Sequence, residues 1–179
     1  HSIFISTPMK YFAPAQLFDQ STQPHIVTLI ALASISALAM NTFLPSLPSM
    51  AAYYNTTPSV MSLSVAIYLG ASALLQLFSG PISDRIGRRP VILVSLGLFI
   101  IASLATIWAP NAETFLALRF VQAFAATTMV LSRAIVRDTV GKDAAASKIA
   151  YVTMGMAVAP MIGPGIGGYL DRYFGWQVI

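Results

Sequence analysis

Few side chains in this sequence could do chemistry, and they fall into three groups. Gly163, Gly165 and Gly168 in the stretch GPGIGG fit G-x-G-x-x-G, the pattern of a turn that cradles a dinucleotide. Asp84, Arg85, Arg88 and Arg89 crowd into GPISDRIGRRPVIL (80–93), where Gly80 and Gly87 permit a tight turn or close helix contact. Arg119 stands inside an apolar run, with Gln122 one turn on. Other chemistries lack their residues. There is no Cys, so no thiolate nucleophile, disulfide or thiolate metal site exists. His occurs only at His1 and His25, which leaves no His-based metal cluster.

The glycine pattern does not support dinucleotide binding. Such a fingerprint follows a strand and opens a helix. Here an uncharged run, GMAVAPMIGPGIGGYL (155–170), leads into it, and Pro164 has no amide to offer a phosphate. Gly155, Ala159, Gly163 and Gly167 recur every fourth residue and make one stripe on a helix. A stripe of small residues lets membrane helices approach closely. Pro160 and Pro164, also four apart, should each remove a hydrogen bond and bend the helix.

The elements that position these groups follow from composition. The chain has 179 residues, 56% hydrophobic and 9% charged, with a mean hydropathy of +0.74. Soluble domains carry about 25% charged residues. Between Asp19 and Asp84 there is no charged residue at all. The bilayer is therefore the expected solvent, and an all-α membrane protein the expected class. Five apolar runs are long enough to cross it: 26–44, 59–80, 91–108, 114–132 and 149–170. Pro45 and Pro48 should end the first, NTTP (55–58) should start the second, and Ala109-Pro110-Asn111 should close the third. A sixth run begins at Trp176. Residues 1–24 read as a polar tail, with 1–8 foreign to a native start at Met9.

Net charge is +4 and the pI near 9.6, but no basic stripe interleaved with aromatics points to nucleic acid. The positive charge reports orientation instead. Lys10 precedes the first run, Arg85, Arg88 and Arg89 follow the second, and Arg133, Arg137, Lys142 and Lys148 follow the fourth. The other connections hold only Arg172. The positive-inside rule puts the N-terminus in the cytoplasm, and Trp108, Trp176, Tyr53 and Tyr54 then fall at the outer interface.

At the charged loop the sequence resembles the major facilitator superfamily. Gly80, Asp84, Arg85, Gly87, Arg88 and Arg89 match its signature G-x-L-A-D-R-x-G-R-R/K, with Ile82 and Ser83 as departures. Arg119, Gln122 and Ala123 resemble a second motif, with Ala for the usual Gly. Gly155, Gly163, Pro164, Gly167 and Gly168, with Ala159 in place of a Gly, resemble the family's antiporter motif. FLPSLP (43–48) and RAIVRD (133–138) are similar to the bicyclomycin-resistance (Bcr/CflA) branch of drug:proton antiporters. The resemblance covers about residues 25–179.

It implies the first six-helix bundle of a twelve-helix multidrug efflux transporter in the bacterial inner membrane. The missing six-helix half would belong to the same chain, and a proton gradient rather than a cofactor would drive export. It gives Asp84 and Arg88 to a cytoplasmic charge network, with Asp84 facing the second bundle and Asp138 as the acid that Arg88 meets, and gives Arg119 to proton coupling or substrate binding. A central Arg costs at least roughly 2.5–3.5 kcal/mol to insert, so it should face the bundle interior or snorkel outward. Asn41 and Gln122 are its expected partners, and Tyr68, Gln76 and Met129 the other cavity candidates, each open to an ordinary packing role. Relatives in this branch often carry Asp where this chain has Asn41, and Asn cannot titrate. The alternatives are an uptake symporter of the same family and a membrane-embedded enzyme, which would need nucleophile–base pairs or metal ligands in the spans.

Overall fold

The computed structural model describes residues 24–139 and 142–179, with backbone alone at 142–144. The polar tail with Lys10, and the side chain of Lys142, lie outside the described residues. All regular structure among the described residues is helical: α1 (Ile26–Asn41), α2 (Leu47–Tyr53), α3 (Pro58–Ile86), α4 (Arg88–Ile107), α5 (Ala112–Gln122), α6 (Ala125–Thr139) and α7 (Lys142–Phe174). They make five stretches long and apolar enough to cross a membrane, as the hydropathy predicts: α1–α2, α3, α4, α5–α6 and α7.

The boundaries depart from expectation where local chemistry intervenes. Pro45 and Pro48 do not end the first stretch. Each sits in the first turn of a new segment, a 3₁₀ turn at Leu44–Ser46 and then α2, where a missing N–H costs nothing. Thr57 starts α3 by accepting from the Val60 N–H at 3.4 Å, with Pro58 at the first helical position. Asn111 starts α5 by accepting from the Thr114 N–H at 2.8 Å. The fourth stretch is not one regular helix. At Ala123–Phe124 the ladder tightens, with the Ala126 N–H bonding Ala123 O at 2.9 Å and Thr127 bonding Phe124 O at 3.0 Å. Arg133, Arg137 and Asp138 lie on α6 rather than in a loop. α7 runs unbroken through Pro160 and Pro164.

The fourth stretch is the centre of the bundle. Half of its most apolar window is buried, against 17–28% for the others. α1 lies against α6 and α7, while α3 and α4 lie against the α5–α6 pair. One end of the bundle is aromatic. There Tyr53, Tyr54, Phe115 and Trp176 pack with ring centroids 5.0–6.0 Å apart. Ser49 donates to Asp171 at 2.8 Å, joining α2 to the end of α7. The other end is charged, and carries the α3–α4 turn and the last turn of α6. Large apolar side chains such as Leu77, Ile101, Trp108 and Met161 stay exposed on the outside, as lipid-facing residues do.

Candidate functional site

Arg119 is 5% exposed and held by four of the five stretches. Its Nη1 donates to Gln122 Oε1 at 2.6 Å, one turn along the same helix. Its Nη2 donates to the Ala39 carbonyl of α1 at 3.5 Å. The guanidinium carbon lies 3.8 Å from the Phe43 ring centroid and 5.0 Å from that of Tyr68 on α3. Gln122 Nε2 passes the connection to Ser103 Oγ of α4 at 3.0 Å. The Tyr68 hydroxyl donates to the Ser36 carbonyl at 3.1 Å and lies 3.0 Å from Ser36 Oγ. Arg119 therefore points inward and does not snorkel. Neutral acceptors and two π faces compensate its charge, and such contacts strengthen away from water.

Three expected members stand elsewhere. Asn41 does not reach Arg119. Its amide turns back along α1 and donates to Ala37 O at 2.7 Å, and its Cβ faces α7. Gln76 is half-buried about two turns along α3 from Tyr68, and its backbone carbonyl accepts from the Ser79 hydroxyl at 3.2 Å. Met129 packs in the apolar cluster of Leu29, Ala33, Val136 and Val152. Ser36, Phe43 and Ser103 were missed. Each reads as ordinary span composition, although a lone hydroxyl opposite a buried Arg is a usable signal. A cavity of about 440 Å³ opens beside Arg119, bounded by Leu38, Thr42, Phe99, Ser103, Ile107 and the terminal turn Trp176–Ile179.

The charged end holds a second constellation. Gly87, at φ +95°, ends α3 and lets α4 start at the next residue, a backbone that other side chains rarely adopt. That sharp turn swings Arg88 back. Its Nη2 meets Asp84 Oδ1 at 2.5 Å and its Nε meets Asp138 Oδ2 of α6 at 3.1 Å. Arg88 Nη1 also bonds Ser83 Oγ, so one departure from the motif is a working partner. Gly80 plays neither expected part: it lies within α3 and faces open space. Arg85 is exposed in the last turn of α3, and Arg89 sits in the first turn of α4.

The third constellation is the small-residue stripe, which faces α1. A Cβ at Gly155 would strike Ile30, one at Gly163 would lie 3.1 Å from Asn41 Cβ, and one at Gly167 would strike the Thr42 carbonyl. Ala159 is buried in the same row, and Gly168 faces Pro45. Gly165, the middle glycine of the dinucleotide-like pattern, faces open space within a continuous helix. Pro164 is half-buried beside the row.

Comparison with known proteins places these features in a family. The model described as Major Facilitator Superfamily matches residues 29–179. The chain is 36% identical over 149 residues to a chloramphenicol resistance protein of Pseudomonas aeruginosa, covering 81% of this chain and 35% of that protein. It is 32% identical over 162 residues to a bicyclomycin resistance protein homolog of Haemophilus influenzae, covering 90% and 41%. It is 30% identical over 153 residues to multidrug resistance protein D of Escherichia coli, covering 85% and 39%. The chain thus spans well under half the length of these relatives.

Proposed function

Because the chain belongs to the Major Facilitator Superfamily, we propose that it is the first half of a secondary transporter that exports drugs or other small amphipathic molecules. The Arg88 junction carries the reading. One guanidinium ties the α3–α4 turn to the end of α6 through Asp84 and Asp138, and it can open if a second bundle moves. In alternating access such a contact exists in one state and is broken in the other, so its energy sets their balance. The arginine-rich end is the cytoplasmic one in this reading, and the membrane is the bacterial inner membrane.

Export is favoured over uptake because three of the relatives compared are named for drug resistance. An enzyme is disfavoured: the buried polar groups around Arg119 are amides, hydroxyls and rings, with no nucleophile–base pair. Proton antiport needs a titratable group. The acids with described side chains, Asp84, Glu113, Asp138 and Asp171, all sit near helix ends. In the proposal the coupling acid belongs to the remainder of the chain, while Arg119 supplies a fixed positive charge.

The test is drug accumulation in cells expressing the full-length protein, with and without a protonophore. Lower accumulation that the protonophore abolishes is expected. Higher accumulation would favour the uptake symporter, and protonophore-insensitive export would remove proton coupling.

A further inference from the structure

We propose that Ser83 is the residue that positions Arg88, so that the guanidinium stays turned toward Asp138 even when its carboxylate pairs are open. The anchoring rests on the α3–α4 turn alone; its consequence for transport rests on the export reading.

Each nitrogen of the Arg88 guanidinium has an acceptor. Nε meets Asp138 Oδ2, Nη2 meets Asp84 Oδ1, and Nη1 meets Ser83 Oγ. The acceptors differ in shelter. The carboxylates are 46% and 61% exposed, whereas Ser83 is 1% exposed. Water and salt compete for the carboxylates, so each holds weakly. A hydrogen bond from a charged donor to a buried oxygen keeps more of its strength, because water does not stand in for the acceptor. The uncharged hydroxyl is thus the firmest of the three holds.

The hydroxyl is also oriented for the task. Its proton goes back along α3 to the Gly80 carbonyl at 2.8 Å. What remains on the oxygen is acceptor capacity, and Arg88 uses it. The carbonyl of the same residue accepts the Gly87 N–H at 2.9 Å and so closes α3 where the chain takes φ +95°. Ser83 therefore fixes both the backbone from which Arg88 springs and one corner of its guanidinium. That group is planar and rigid, so holding Nη1 constrains the direction of Nε, which faces Asp138 on α6. The signature that this turn resembles has Ala at this position, which offers no such oxygen. Ser79, one turn earlier, is the internal comparison. It is buried and bonds back to the Gln76 carbonyl at 3.2 Å, but it meets no charged side chain among the described residues.

In the export reading the junction breaks in one state and re-forms in the other. An Arg88 that keeps its place re-forms the Asp138 pair without losing rotamer freedom at each closure, a cost that long side chains otherwise bear.

The test follows the Arg88 Nε–H by NMR in the full-length protein, isotopically labelled in its arginine nitrogens, with the signal assigned by its loss in Arg88→Lys. Its exchange with solvent reports whether the guanidinium is held. Ser83→Ala should speed exchange about tenfold or more, Asp84→Asn about fivefold or less, and Ser79→Ala should leave it unmoved. At about 1 M salt, where the screening length is about 3 Å, the parent should keep its protection and Ser83→Ala should lose it. Exchange in Ser83→Ala no faster than in Asp84→Asn overturns the anchor. If Ser83→Ala does not fold, the parent decides alone: protection that collapses at high salt overturns the proposal, and protection that persists supports it. Drug export by Ser83→Ala should fall although both carboxylates remain. Normal export with protection lost would uphold the anchor and remove the junction from the export cycle.

Discussion

Arg88 and Asp138 meet at 3.1 Å although fifty residues separate them, and Asp84 holds the same guanidinium from its other side at 2.5 Å. The carboxylates are 46% and 61% exposed, so the pairs add little to folding stability, about 1 kcal/mol or less. Their effect is larger if one transport state keeps them and the other does not. Asp84→Asn and Asp138→Asn should therefore leave expression and Tm near the parent values. Transport should fall, by a population shift worth roughly 1–3 kcal/mol. Normal efflux at normal expression in both variants would deny the junction a role in the cycle.

The small-residue stripe makes a sharper structural prediction. At Gly167 a methyl group would strike the Thr42 carbonyl, which is backbone and cannot rotate away. Gly167→Ala should push α7 off α1 and cost about 1–3 kcal/mol. Gly165→Ala, two residues away, points into open space and should be tolerated. Thermal unfolding of the two variants in detergent decides it. Equal melting temperatures would mean that α1 and α7 do not pack through this face.

The five stretches were legible because crossing lipid imposes length and apolarity together, and a run such as 91–108 satisfies both with no help from neighbours. The Arg88–Asp138 pair was legible only through the family resemblance of the loop motif; Gly87 permits the positive-φ turn that swings Arg88 back, but nothing in the turn itself names Asp138. Asn41 was misjudged for a local reason. Its amide N–H bonds Ala37 O of its own helix, and with the side chain held there its oxygen accepts no hydrogen bond from Arg119. Ser103 and Ser36 were invisible because nothing in one span says which face meets Gln122 or Tyr68 across a bundle. The tightened turn at Ala123 escaped notice too, since alanine favours the regular helix and carries no signal of a break.

Tyr54 gives a prediction in pH. Burial, with Tyr53 beside it, pushes its phenol up to about 12 from the usual 10.0. A raised pKa means that folding favours the neutral form. Its contribution is full below pH 10 and is lost as pH rises through about 12. The hydroxyl is buried without a partner among the described residues, so Tyr54→Phe removes a polar atom and leaves the ring contacts with Trp176 and Phe115. The variant should match or exceed the parent Tm at pH 8, and its advantage should widen at pH 11. A Tyr54→Phe protein that loses stability more steeply than the parent at high pH would show that the hydroxyl is charged in the folded state.

Arg119 and Tyr68 separate charge from geometry. Arg119→Lys keeps a positive charge, but an ammonium cannot lie flat on Phe43 and reach both Gln122 Oε1 and Ala39 O. Charge-assisted hydrogen bonds are each worth about 1.5–3 kcal/mol, so the variant should lose at least about 2 kcal/mol. It should also lose transport. Tyr68→Phe leaves the ring beside the guanidinium and removes only the bond to Ser36. That should cost about 1 kcal/mol, or about 2–4 °C in Tm, and leave transport largely intact. If Lys at 119 restores both stability and export, charge alone is what the bundle needs there, and the planar fork that joins α5 to α1 has no special role. If Tyr68→Phe abolishes export at unchanged Tm, the phenol itself contacts the transported molecule, and its bond to Ser36 is the resting position from which it does so.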